Sequence, residues 1–111
     1  AVSEFLSKTD TLPDAIFAVS DPMAVQVIRA VKDAGYGVPD DVSIIGFDNL
    51  QFSPYLDPPL TTVNQPLYRM GEAAAERIIS LIENKSDAPV TQVMETELVI
   101  RKTTKNRNTD Q

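Results

Sequence analysis

Apolar residues along this chain fall into two kinds of run: short continuous stretches and longer ones with helical spacing. Ala15 to Val19 (AIFAV) is a short continuous run closed by Ser20, Asp21 and Pro22, a pattern that predicts a buried strand ending in a turn. Beyond it, Ala24, Val27, Ile28, Val31 and Ala34 recur at helical spacing. Pro22 suits the first helical position, and Asp21 is expected to cap the free N–H groups. Gly35 and Gly37 supply the stop. Val42 to Phe47 (VSIIGF) is a second apolar run with β-branched content. Strand, helix and strand with short connections make a βαβ unit. The predicted fold class is therefore α/β, with adjacent parallel strands, a right-handed crossover and helices on the faces.

Downstream, Leu67 to Asn84 predicts a strongly amphipathic helix. Leu67, Met70, Ala74, Ile78, Leu81 and Ile82 form a stripe, while Arg69, Glu72, Glu76 and Glu83 fall largely away from it. Core packing is the ordinary meaning of such a stripe, which needs a partner surface. After the turn-rich KSDAP come two expected extended pieces, Thr91 to Glu95 and Glu97 to Arg101. The end, KTTKNRNTDQ, is polar throughout and is expected to fray.

The composition narrows the function classes. At 111 residues the chain is one domain's worth, and 42% hydrophobic with 23% charged residues describes an ordinary globular sequence. A net charge of -6 works against a phosphate-binding surface, because nucleic-acid affinity comes largely from Lys and Arg, so this segment is not expected to bind DNA by itself. With no Cys and no His, thiolate chemistry, the commonest zinc ligands and the usual general base near neutral pH are missing. No enzyme activity and no cofactor are expected, since the glycines form neither a dinucleotide fingerprint nor a Walker pattern. There is no apolar run of membrane-span length and no signal-peptide pattern at the start, and the absence of an initial Met suggests a missing upstream segment.

In open parallel sheets, ligands sit at the carboxyl ends of the strands. The first predicted strand ends at Ser20 and Asp21, the second at Asp48 and Asn49. Asp48 is either a ligand-binding carboxylate, able to accept from two hydroxyls or N–H groups, or a cap of the turn Asn49 to Tyr55. Asp21 reads as the helix cap, leaving Ser20 to face the cleft. Without a His to activate it, Ser20 is no nucleophile. Phe52, Tyr55 and Leu56 are apolar in a proline-rich connection, fit either for packing on the sheet or for a dimer contact. Asp40 and Asp41 read as turn residues at the amino end of the second strand.

Three segments, VPDDVSIIGFDN, PPLTTVNQP and the MGEAA helix, occur in an order and spacing that resembles the effector-binding domain of LacI/GalR-family bacterial transcription regulators. The resemblance covers nearly the whole chain and corresponds to the C-terminal part of that domain. It implies a periplasmic-binding-protein type I architecture: two α/β subdomains close on a small effector, joined by three chain crossovers. Residues 1–62 would form C-terminal subdomain core. Residues 63–90 would cross at VNQP and carry the last helix on the N-terminal subdomain, residues 91–104 would return, and 105–111 would be a polar tail.

The resemblance also assigns roles. Asp48 matches the effector-binding acid of the family's GFD/GYD motif, Ser20 a position often occupied by Asn, and Gln65 and Leu67 the crossover residues that close over the effector. Val27, Ile28, Phe52 and Leu56 lie where the family commonly forms its homodimer interface. The expected protein is a cytoplasmic regulator, a repressor by analogy, that senses a sugar-like effector and touches DNA only through an upstream helix-turn-helix. A sugar-transport solute-binding protein shares the fold and is the alternative. The last helix, deprived of most of its subdomain, is expected to cover its stripe with another copy of the chain or in a rearranged position.

Overall fold

The computed structural model describes residues 1–8, 10–84 and 89–106. Along these the order is α1 (Val2–Lys8), β1 (Ala15–Phe17), α2 (Asp21–Asp33), β2 (Ser43–Asp48), a short 3-10 turn (Ser53–Tyr55), β3 (Thr61–Asn64), α3 (Leu67–Ile82) and β4 (Glu97–Val99). The chain divides into two compact units. One comprises 1–64 with 97–111, the other Gln65–Thr96.

The first unit holds a four-stranded sheet in the order β1-β2-β3-β4. β1, β2 and β3 are mutually parallel, and β4 runs antiparallel to β3. The predicted βαβ unit is present, but the sheet extends further than expected, because Thr61 to Asn64, whose last two residues begin the expected crossing VNQP, forms a full strand between β2 and β4. Its short length and paired threonines hide it from a periodicity argument. Thr91 to Glu95, by contrast, is not a strand in the structure; only Glu97–Val99 of that region finds a partner ladder. α1, which was not anticipated, buries Leu6 in the core and packs against α2.

One face of the sheet is covered. Ile44 of β2 packs with Ala24, Val27, Ile28 and Val31 of α2, and with Leu6, Val42 and Leu60. Val27 and Ile28 are 8% and 6% exposed and belong to this core cluster. Burying a Val or Ile is worth about 1.5–3 kcal/mol, and these two gain it within the chain. The opposite face carries Phe17, Ile45, Phe47, Val63 and Leu98, as the strand register requires. Phe17 stacks on Phe47 with ring centroids 6.4 Å apart, yet is 63% exposed. β1 is thus an edge strand with one open side, not the buried strand its apolar run predicts.

The second unit contains α3, none of whose residues is buried. Leu67, Met70, Ile78, Leu81 and Ile82 of the predicted stripe are all exposed. Met70, Ala73 and Ala74 border an open groove with Val90 and Met94.

The polar end departs most from expectation. Thr103 is fully buried and stitches β2 to β3: its hydroxyl donates to the Ile44 carbonyl at 2.6 Å and accepts from the Thr61 N–H at 2.8 Å, while its carbonyl accepts from Ile44 N–H at 2.8 Å. Lys105 reaches the Asp40 carbonyl at 2.8 Å. The expectation of a frayed end is corrected through Asn106, and residues 107–111 lie outside the described range. Replacing Thr103 by Val keeps its volume and strips both side-chain hydrogen bonds, leaving Thr61 N–H without its acceptor. Urea unfolding of Thr103→Val should show a loss of about 1–3 kcal/mol, with a smaller loss for Thr103→Ser.

Candidate functional site

The carboxyl edge of β1, β2 and β3 is organised by a carboxylate. Asp21 is 0% exposed and does not cap α2 as expected. Ser20 is the cap: its extended backbone (φ -155°, ψ 162°) turns the hydroxyl to accept from Met23 N–H at 3.3 Å. Asp21 instead projects from the first helical turn into the protein. Its Oδ1 accepts from the Thr62 hydroxyl at 2.6 Å, and its Oδ2 accepts from Leu50 N–H at 3.0 Å and from the Ser53 hydroxyl. Three donors and the positive end of α2 offset the loss of water around this carboxylate.

This close approach accounts for the glycine in VSIIGF. A Cβ on Gly46 would overlap Asp21 Oδ1 and crowd Leu60 Cδ2. Strand propensity argues against Gly here, and the carboxylate crossing over β2 requires it.

Asp48 ends β2, partly buried and paired in register with Asn64 of β3. It has φ 114° and is followed by Asn49 at φ 55°. Two consecutive non-glycine residues in this region cost roughly 1–3 kcal/mol each, and such conformations persist only where surrounding contacts over-determine them. Those contacts are visible. Asn49 N–H donates to Thr62 Oγ1 at 3.3 Å, Asn49 Nδ2 donates to Asn64 Oδ1 at 3.0 Å, and Arg101 Nη2 donates to Asn49 Oδ1 at 2.7 Å. Arg101 is itself anchored, through Nη1 to the Leu60 carbonyl and through its N–H to Thr61 Oγ1, both at 2.9 Å.

Ser20 and Asp48 lie at the same edge, because β1 and β2 are adjacent and parallel. Gln65 and Leu67 belong to the second unit, Gln65 directly after β3 in the chain and Leu67 as the first residue of α3. Of the apolar turn residues, Phe52 and Tyr55 are exposed, while Leu56 is half-buried against the core. Asp41 accepts from Gly37 N–H at 2.6 Å, a turn role in keeping with its reading. Among the described residues no cluster of His, Cys, Asp or Glu is arranged to hold a metal.

A model of the periplasmic binding protein-like domain matches residues 1–104. The transcriptional regulator CelR in complex with cellobiose superimposes with a TM-score of 0.87 at 35% identity, covering 93% of this chain and 31% of that one. The chain belongs to the periplasmic binding protein-like family, in its LacI/GalR branch. The lac repressor dimer bound to operator and the anti-inducer ONPF gives a TM-score of 0.84 at 30% identity over 93% of this chain and 35% of that one. The HTH-type transcriptional repressor PurR of Photobacterium profundum is 41% identical over 108 residues, which is 97% of this chain and 32% of the relative. The chain thus spans about a third of the length of such LacI/GalR-branch relatives.

The polar residues behind Asp48 escape sequence reasoning because their partners are distant: Thr62 meets Asp21 across 41 positions and Arg101 meets Asn49 across 52. The buried pair Thr61-Thr62 in an otherwise apolar strand context is the one local signal. Gly46→Ala should lower the stability of the complete protein by about 1–3 kcal/mol, read as a lower urea midpoint at unchanged slope.

Proposed function

We propose that this chain is part of the effector-sensing domain of a transcriptional regulator, a repressor by analogy with its relatives, in which Asp48 accepts hydrogen bonds from the hydroxyls of a sugar-like effector. The observation that carries this reading is the backbone at Asp48 and Asn49. Two left-handed residues sit at the carboxyl edge of a parallel sheet, held by contacts from β3 and from the chain after β4. A plain turn needs no such support. Ser20, capping α2 with one lone pair, keeps its hydroxyl proton to donate to the same ligand.

In this reading the unit Gln65–Thr96 belongs to the facing subdomain, with Gln65 and Leu67 closing over the effector. The open stripe of α3 and the open sheet face at Phe17, Phe47 and Leu98 meet further parts of the complete cytoplasmic protein or a second copy. The homodimer contact falls to Phe52 and Tyr55, exposed on the turn after β2, with Leu56 behind them and Val27 and Ile28 beneath. DNA is bound by an upstream helix-turn-helix, in keeping with the net charge of -6 here. Effector closure shifts the population between two subunit geometries and so the spacing of the DNA-binding heads.

A thermal-shift screen of the complete protein against cellobiose, sucrose, ribose, sugar phosphates and purine bases tests the effector class. A ligand at 100 times its dissociation constant adds about 2.7 kcal/mol. Asp48→Ala should abolish that shift, with a lower ligand-free midpoint because Ala tolerates φ 114° less well than Asp. A shift that survives the substitution reduces Asp48 to a turn residue.

A further inference from the structure

We propose that Thr62 and Arg101 are positioning residues for the effector site, setting the direction of Asp48 through Asn49; this rests on the reading of Asp48 as the effector acid. The Asn49 N–H lies in the same peptide plane as the Asp48 carbonyl. Whatever holds that N–H therefore sets the torsion on the carbonyl side of Asp48. Thr62 Oγ1 holds it at 3.3 Å, and the hydroxyl cannot turn away because its proton is committed to Asp21 Oδ1 at 2.6 Å. The next peptide is pinned as well, since Leu50 N–H donates to Asp21 Oδ2 at 3.0 Å.

Arg101 acts on the side chain. Its Nη2 donates to Asn49 Oδ1 at 2.7 Å while Nη1 grips the Leu60 carbonyl at 2.9 Å, so the guanidinium ties Asn49 to the start of β3. The remaining amide group of Asn49 donates to Asn64 Oδ1 at 3.0 Å. Asn49 is thereby fixed at three atoms in a conformation that a free Asn seldom keeps. Thr62 is fully buried and out of reach of any ligand in the cleft. Its effect on affinity passes through its two partners, Asn49 on one side and Asp21 on the other. Arg101 is supplied by the chain after β4, so the returning segment contributes to the site.

The test uses the complete protein, calorimetric titration with cellobiose, sucrose and ribose, and urea unfolding of each variant. Thr62→Val removes both the donor to Asp21 and the acceptor for Asn49, Thr62→Ser restores both, and Arg101→Lys keeps the charge but loses the two-pronged grip. Thr62→Val and Arg101→Lys should weaken the affinity for the sugar that the unaltered protein binds by about tenfold. Thr62→Ser should stay within about twofold of the unaltered protein.

Unchanged affinity in folded Thr62→Val and Arg101→Lys, with stability alone reduced, overturns the proposal and leaves both residues as scaffold. If Thr62→Val does not fold, Arg101→Lys decides by the same criterion. Asp48→Ala separates the two levels. Its loss of binding beside unaffected Thr62 and Arg101 variants sinks only the positioning role, whereas binding that survives Asp48→Ala, or binding of none of the three sugars by the unaltered protein, sinks the effector reading and this proposal with it.

Discussion

A buried carboxylate with three donors governs this structure. Asp21 leaves the first turn of α2, passes over β2 where only a glycine leaves room, and gathers the Thr62 hydroxyl, the Ser53 hydroxyl and Leu50 N–H. It therefore joins the end of β1, the turn after β2 and the middle of β3. An anion so far from water is tolerated only while all its donors remain, since each lost partner leaves charge uncompensated in a medium that solvates it poorly. The geometry of the strand edge is all or nothing for that reason. Ser20 takes over the capping of α2 and releases Asp21 for this task.

From this hub the candidate site follows in one step. Thr62 relays the carboxylate to the peptide after Asp48, and Arg101 completes the hold on Asn49. The strain at Asp48 and Asn49 is thus balanced by neighbours that are themselves satisfied, and no buried side-chain polar atom among the described residues lacks a partner. If Asp48 is the effector acid as proposed, a backbone held in this way leaves little reorganisation to be done at binding. A polar loop of the same composition without the hub would have to order itself each time.

Much of this was legible in the sequence, and the limits have physical causes. The apolar runs and the helical spacing of Ala24, Val27, Ile28 and Val31 located the βαβ unit, because burial on one helix face leaves a periodic trace. The same trace could not say which surface those residues bury against, so the interface role of Val27 and Ile28 came from the resemblance alone. Asp21 looked like a cap because Asp before Pro at a helix start most often is one, and only the tertiary approach of Thr62 and Ser53 shows otherwise. β3 was hidden by its brevity, and Thr103 by its setting in a polar tail. Asp48, though, was marked by its place at a strand end and by the GFD motif that resembles the LacI/GalR pattern.

The threonine stitch also bears on how the chain comes into being. Ile44 waits for a partner 59 positions downstream, and the route to it runs through the whole second unit. During synthesis β1, α2 and β2 are available early, but the stitch from Ile44 to Thr61 forms only after Thr103 has left the ribosome. Contacts of such long range are slow to form and expose unfinished strand edges meanwhile. A nascent chain halted before Thr103 therefore lacks the stitch that links Ile44 to Thr61.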